Sequence, residues 1–251
     1  MCNMYVAKIN FSGKISQRAL NDYWPILEFA EKKKKIAGVI LVINSGGGDA
    51  TSSQLLFNKI RKIDARKPVY AYINGVGASG AYWMASACRK IYSLETSIVG
   101  SIGVISMVPN FRSLMDRIGI RMDVDKIGRY KDMNSPFSEP DKESSEKYHE
   151  ILEEIFKVFR DSVKERRKFT DEEMEKIATG EVFAPRKAME LKLIDGIGDS
   201  ESALEDMSTL YKTGKKTRSF APRRPLVSRI IGTESFVSLR DSILEAIFSD
   251  Y

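Results

Sequence analysis

The sequence of 251 residues carries 40 Lys plus Arg against 34 Asp plus Glu, a formal net charge of +6, with 43% hydrophobic residues. That length suits one α/β domain, or a domain with appendages, and the apolar content suffices for a core. Two cysteines, Cys2 and Cys88, exclude a disulfide framework; neither keeps the company that zinc requires, and the longest apolar run, Ile36 to Ile43, is far short of the roughly 18 residues of a membrane span.

In chain order, Tyr5-Val6-Ala7-Lys8-Ile9 reads as a first strand, with no leader pattern before it. The basic run Lys32 to Lys35 ends a helix, where cations are favoured. Ile36 to Asn44 is a near-continuous apolar strand, the signature of a parallel sheet. It enters the glycine loop Ser45-Gly46-Gly47-Gly48-Asp49, and a helix follows from Ala50 to about Ile63. Pro68 to Ile73 is a second buried strand, followed by Asn74-Gly75-Val76-Gly77-Ala78-Ser79-Gly80 and a helix of small residues reaching Cys88. Strands are expected near Lys90 to Leu94, Ile98 to Val108 and Arg121 to Ile127, with a helix near Phe111 to Ile118 between the last two. Lys142 to about Arg167 is a long amphipathic helix with Tyr148, Ile151, Leu152, Ile155, Phe156, Phe159 and Val163 on one stripe, expected to serve core or subunit packing rather than a ligand site.

Two successive strands thus end in glycine-rich turns that open helices, and in open α/β sheets ligands bind at such strand ends. Ser79 sits at the start of the second helix, where free N–H groups and the helix dipole would stabilise a developing oxyanion. The plainer reading is a tight turn with Ser79 as a helix cap. Gly75-x-Gly77-x-x-Gly80 matches the dinucleotide fingerprint, with Glu95 near the ribose-acid position, but a full βαβ unit precedes it, where the fingerprint should open the first. The single histidine, His149, lies in the charged run Ser145 to Glu150 and reads as solvated, so a base for Ser79 is sought among the lysines.

The chain resembles the signal peptide peptidase A family, serine–lysine proteases on the ClpP/crotonase superfold. Asn44-Ser45-Gly46-Gly47-Gly48, Gly77-Ala78-Ser79-Gly80-Ala81-Tyr82, Val99-Gly100-Ser101-Ile102-Gly103-Val104-Ile105, Gly128-Arg129-Tyr130-Lys131 with Ser135-Pro136-Phe137, and Leu193-Ile194-Asp195-Gly196-Ile197-Gly198 carry it, in order, over about residues 5 to 206. Gly46 stands where the family has proline, and Pro185 and Lys192 where it has glycine. The resemblance implies that Ser79 is the nucleophile, Lys131 the general base and Ser101 a hydrogen-bond partner of the lysine amine. The N–H groups of Gly48 and Gly80 would form the oxyanion hole. A free lysine, with a pKa of about 10.4, is charged at neutral pH, so such a base must be desolvated and kept from carboxylates. Asp132 is adjacent, but in an extended loop its side chain points away.

Also implied are cleavage of hydrophobic peptides such as remnant signal peptides through an acyl-enzyme, no cofactor or metal, and a homo-oligomer with active sites at subunit interfaces. Family members often carry an N-terminal anchor; membrane association is expected if one precedes this sequence, and solubility otherwise. Alternatives on the same superfold are a crotonase-type acyl-CoA enzyme, which would use carboxylates at the crevice, and a non-enzymatic membrane-associated scaffold. Residues 1–206 are expected to form the peptidase domain and 207–251 a basic linker with an amphipathic helical tail. Met207 to Thr233 holds seven Lys or Arg and no Asp or Glu, and Phe236, Leu239, Ile243 and Ile247 share one helical face. The plainer reading of this tail is a solvated segment with a helix on a neighbouring subunit; the sharper is contact with an anionic membrane surface. Nucleic acid is not expected, because the basic residues lack aromatic interleaving.

Overall fold

A computed structural model describes residues 4–139 and 141–222. The chain opens with strand β1 (Tyr5–Ser12), helix α1 (Gln17–Lys32), β2 (Ile36–Ser45), α2 (Ala50–Asp64), β3 (Val69–Ala78) and α3 (Gly80–Ser86). Then come β4 (Lys90–Ser93), β5 (Ile98–Gly100), α4 (Arg112–Arg117), α5 (Lys142–Arg167) and α6 (Asp171–Ile177). β6 (Val182–Phe183), α7 (Pro185–Glu190), β7 (Gly196–Ile197), α8 (Ser200–Tyr211) and β8 (Thr217–Phe220) complete the series. Helix starts are set locally: Ser16, Asp49, Asp141 and Asp199 each accept an N–H of the first turn, and Thr170 with Glu173 forms a capping box.

Among the described residues eight strands form one sheet, ordered β6-β5-β3-β2-β1-β8, with β4 beside β3 and β7 beside β4. Every pairing is parallel except β5 with β6. β3 is shared along its length: Tyr70 to Ile73 pair with β4, and Val76 to Ala78 pair with β5. That division leaves the end of β3 next to the loop that follows β5. The main core packs Ile9, Phe11, Leu41, Leu56, Ile60 and Trp83, among others, between the sheet and its helices, while Val6, Ile40, Tyr70, Ala203, Leu204 and Met207 form a smaller core beneath α8. α3 is buried along its whole length, and α5 is fixed by its C-terminal half, where Phe159 and Val163 are buried and Phe159 stacks on Trp83 at 4.7 Å.

Three expectations need correction. The strand expected over 98–108 stops at Gly100, because Gly100 (φ 108) and Ser101 (φ 53) turn out of extended backbone. No strand forms over Arg121 to Ile127; apart from α4, the chain from 101 to 139 runs without helix or strand. The boundary expected after residue 206 falls inside α8, and the compact unit that begins the chain runs through Phe220. Basic composition concealed that continuation. Met207 is buried, β8 extends the sheet beside β1, and the Phe220 ring lies 5.8 Å from Phe29 and 6.5 Å from Tyr5. The expected tail helix lies outside the described residues. Among those described, no helix is long and apolar enough to cross a membrane, and no group of three or more His, Cys, Asp and Glu could hold a metal. Cys88 is free and buried.

α1 is pinned to α2 by a buried ion pair, Glu31 to Lys59 at 2.6 Å, with Lys62 and Arg66 also near Glu31. The hydrogen bond from Lys59 holds the Glu31 carboxyl below its ordinary range, helped by the nearby cations. A depressed folded-state value contributes stability above the unfolded pKa of about 4.3, lost as pH falls through the folded value. In Glu31→Gln this acid-sensitive component disappears, and the buried Lys59 left without its partner costs about 3–5 kcal/mol. Urea denaturation of both proteins at neutral and acidic pH measures both effects.

Candidate active site

Ser79 joins a buried strand to a buried helix, and its backbone is held in a conformation that non-glycine residues rarely take, φ 54 and ψ −128. Such geometry costs of order 1–3 kcal/mol and persists only where neighbours fix it. Here Ser79 N–H donates to Gly100 O at 2.8 Å, and Ser79 O accepts from Trp83 N–H at 2.9 Å. The side chain makes no capping hydrogen bond, so a helix cap is not what the residue is for. Both backbone groups are committed, and the half-buried residue lines the cavities described below.

The glycine loop after β2 lies against this turn. Ile15 clamps it, donating its N–H to Gly47 O at 2.8 Å and accepting from Asp49 N–H at 2.9 Å. Asp49 spends its carboxylate on the α2 cap, accepting from Ser52 N–H at 2.7 Å. Among the described residues, the N–H groups of Gly48 and Gly80 have no acceptor. They are close: a methyl built on Gly80 would stand 3.5 Å from Gly48 N and 2.2 Å from Ser53 Oγ, and one on Gly48 would meet Ile15 O at 2.0 Å. Only glycine permits this approach, and at Gly48 the φ of 152 adds to the exclusion of other residues.

Ser101 arrives from the other side. Ala78 and Gly100 are register partners, so Ser79 and Ser101 are the next residues on two paired strands. Ser101 N–H donates to Glu181 O at 2.7 Å, and Gly180 N–H to Ile102 O at 3.0 Å, which fixes the turn. Ser79 and Ser101 line one cavity of about 690 Å³, with Val104, Leu152, Phe156 and Thr179 on its walls. A second cavity of about 270 Å³ also opens on Ser79 and adjoins Gly48, Gly80, Trp83, Leu152 and Phe159. The α5 stripe, expected to serve packing, therefore splits. Phe159 and Val163 pack in the core, while Tyr148, Leu152, Ile155 and Phe156 wall the two cavities.

Four of the five expected site residues are thus brought together: Ser79, Ser101, Gly48 and Gly80. Lys131 is not among them. It is exposed, lines neither cavity and sits in a run of turns closed by Lys131 N–H to Gly128 O at 3.2 Å and Ser135 N–H to Asp132 O at 2.9 Å. The loop is coiled rather than extended, and the Asp132 carboxylate is occupied by Lys126. The hydrogen bond from Lys126 holds Asp132 below the usual carboxylate range. His149 is exposed, as its charged surroundings suggested, yet it lines the larger cavity, 3.3 Å from Glu153. Its spacing from Leu152 on one helix was the available signal. The 179–181 backbone, more than 75 positions from Ser101, carried none.

A model of peptidase family S49 matches residues 61–214, more than half of the chain, and one of Clp protease matches residues 4–99. The chain belongs to peptidase family S49. The S49 chain is 35% identical over 188 residues to MJ0651 of Methanocaldococcus jannaschii, a protein named for protease activity, covering 75% of this chain and 60% of that one. It is 31% identical over 174 residues to the chloroplastic serine protease SPPA of Arabidopsis thaliana, covering 69% of this chain and 26% of that one. Protease 4 of Haemophilus influenzae is 28% identical over 193 residues, with 76% and 31% covered. The S49 chain therefore spans 60% of the first of these relatives and less than a third of the other two. Two solved structures of the 1510-N membrane-bound stomatin-specific protease superpose with TM-scores of 0.59 and 0.61 at 14% and 12% identity, covering 88% and 93% of this chain and 99% and 98% of those. They share this fold, and the Clp protease match over residues 4–99 marks it as ClpP-like.

Proposed function

We propose that the chain is a serine endopeptidase acting through a Ser79–Lys131 dyad assembled between subunits. The observation that carries this reading is the strained Ser79 turn, whose uncommitted hydroxyl stands beside the two free N–H groups of Gly48 and Gly80. Ser79 Oγ attacks the scissile carbonyl carbon and its proton passes to the neutral amine of Lys131. The carbonyl oxygen becomes an oxyanion held by the Gly48 and Gly80 N–H groups. Collapse breaks the C–N bond, the lysine returns the proton to the leaving amine, and water hydrolyses the acyl-serine by the same relay in reverse. Ser101, beside Ser79, orients the lysine amine by hydrogen bonding. The largely apolar cavity walls suit extended hydrophobic peptides, among them remnant signal peptides.

Assembly from more than one protomer is supported by the segment that bears Lys131. Ile105, Met107, Ile118, Val124 and Ile127 on that segment are each more than half exposed, an apolar concentration that marks an interaction surface. Docked on a second copy, the segment would bury these side chains, desolvate Lys131 and carry it to a neighbour's Ser79, in a closed head-to-tail ring. A fluorophosphonate tests the nucleophile: it should label Ser79 alone, and intact-mass spectrometry should show no adduct on Ser79→Ala. Labelling elsewhere with Ser79 untouched would end the proposal.

The oxyanion hole makes its own prediction. Gly48→Ala drives a methyl into the Ile15 carbonyl, so the loop must move away from Gly80. Peptide hydrolysis should fall about 10²- to 10³-fold in kcat, with the circular dichroism spectrum retained. An active Gly48→Ala protein would place the oxyanion donors elsewhere.

A further inference from the structure

The larger cavity at Ser79 is walled by apolar, hydroxyl-bearing and glycine residues, with two exceptions, His149 and Glu153. Counting histidine as neutral, Glu153 holds the only formal charge on that wall. Its carboxylate has no lysine or arginine partner among the described residues; its neighbour is His149, 3.3 Å away. In the smaller cavity the one carboxylate, Asp49, is consumed in capping α2. The surrounding helix reinforces the sign. From 142 to 157 there are five Glu (143, 146, 150, 153 and 154) and three Lys (142, 147 and 157), a net of −2 in a chain of net +6. On the adjoining outer face Glu150 and His149 lie with Glu146, whose carboxylate has Lys142 3.7 Å away.

A peptide lying across Ser79 with an apolar side chain against Val104, Leu152 and Phe156 would bring its next side chains past Glu153. An acidic side chain there meets like charge, a neutral one gains nothing, and a lysine or arginine supplies the missing cation. We infer that Glu153 is a specificity-determining residue, selecting peptides that carry a lysine or arginine next to the apolar segment at the scissile bond. The inference rests on Ser79 being the nucleophile, and it adds a charge preference to a site otherwise read as apolar.

The test uses the full chain and matched fluorogenic peptides of one apolar sequence, with Lys, Gln or Glu at each position flanking the cleaved bond. Wild type should show a kcat/KM about two- to fivefold higher for the Lys peptide than for the Gln peptide at one or more flanking positions, as befits a solvent-exposed charge pair. The ratio should shrink with added salt. Glu153→Gln should bring it to about one, and Glu153→Lys should favour the Glu peptide. A Lys/Gln ratio unchanged in Glu153→Gln overturns the inference, as does a uniform fall across all peptides with the ratio intact, which would mean Glu153 acts on the site rather than on substrate charge. Hydrolysis that persists in Ser79→Ala sinks the nucleophile reading instead, and the two failures are told apart by that variant alone.

Discussion

Ser79→Ala should abolish peptide hydrolysis, with a fall of about 10³-fold or more in kcat, and leave the protein folded. The expected effect is large because, in the proposed mechanism, the hydroxyl forms the covalent bond on which both half-reactions depend. Ser101 lines the larger cavity with it, but the smaller cavity that adjoins Gly48 and Gly80 is lined by Ser79 and not by Ser101. Stability should change little, within about 1 kcal/mol, since the backbone bonds to Gly100 and Trp83 stay in place and the side chain caps nothing. Steady-state assays on a hydrophobic fluorogenic peptide, with a thermal melt of the same samples, measure both. An active Ser79→Ala protein would remove the basis of the peptidase reading.

Lys131→Ala should be nearly as damaging to activity and neutral to folding, because an exposed side chain with no ion pair among the described residues contributes within about 0.5 kcal/mol. Its loss is also the one that can be repaired. When Ser79→Ala and Lys131→Ala proteins, each inactive, are mixed and allowed to exchange subunits, random assembly of a head-to-tail ring leaves about one quarter of interfaces with an intact serine facing an intact lysine. Recovery towards that fraction of wild-type activity is the expected result. Exchange demonstrated by mass-labelled subunits, with no recovery, would place both residues within one chain.

The parallel sheet was legible in the sequence because buried strands declare themselves. Ile36 to Asn44 and Pro68 to Ile73 are almost wholly apolar and end in glycine loops, and both became central strands. The long helix was equally plain, its start at Lys142 fixed by the Asp141 cap. Of the expected site residues, Gly48, Ser79 and Gly80 fall together because they lie on those loops, and Ser101 joins them because β5 pairs with the end of β3. What failed to show was anything that depended on one distant partner. Val104, Ile105 and Val108 have strand-like side chains, yet Ser101 had already turned away towards the 180–181 backbone. β8 is a short strand in a basic stretch, and only β1 beside it makes it one. Lys131 is the hardest case: its surroundings carry a recognisable motif, but among the described residues it is exposed and lines neither cavity.

α5 is a beam laid along the two cavities. From Lys142 to Val158 it runs about 25 Å at 1.5 Å per residue before the buried Phe159, with Ser144 near its start also buried. Its outer end is tied by the Ser106–Tyr148 hydroxyl contact at 3.0 Å and by Arg129 and Tyr130 bonding Glu143, all from the 101–139 segment. The cavity wall and the segment that bears Lys131 are therefore joined at the outer end of one beam, so a displacement of either bears directly on the other.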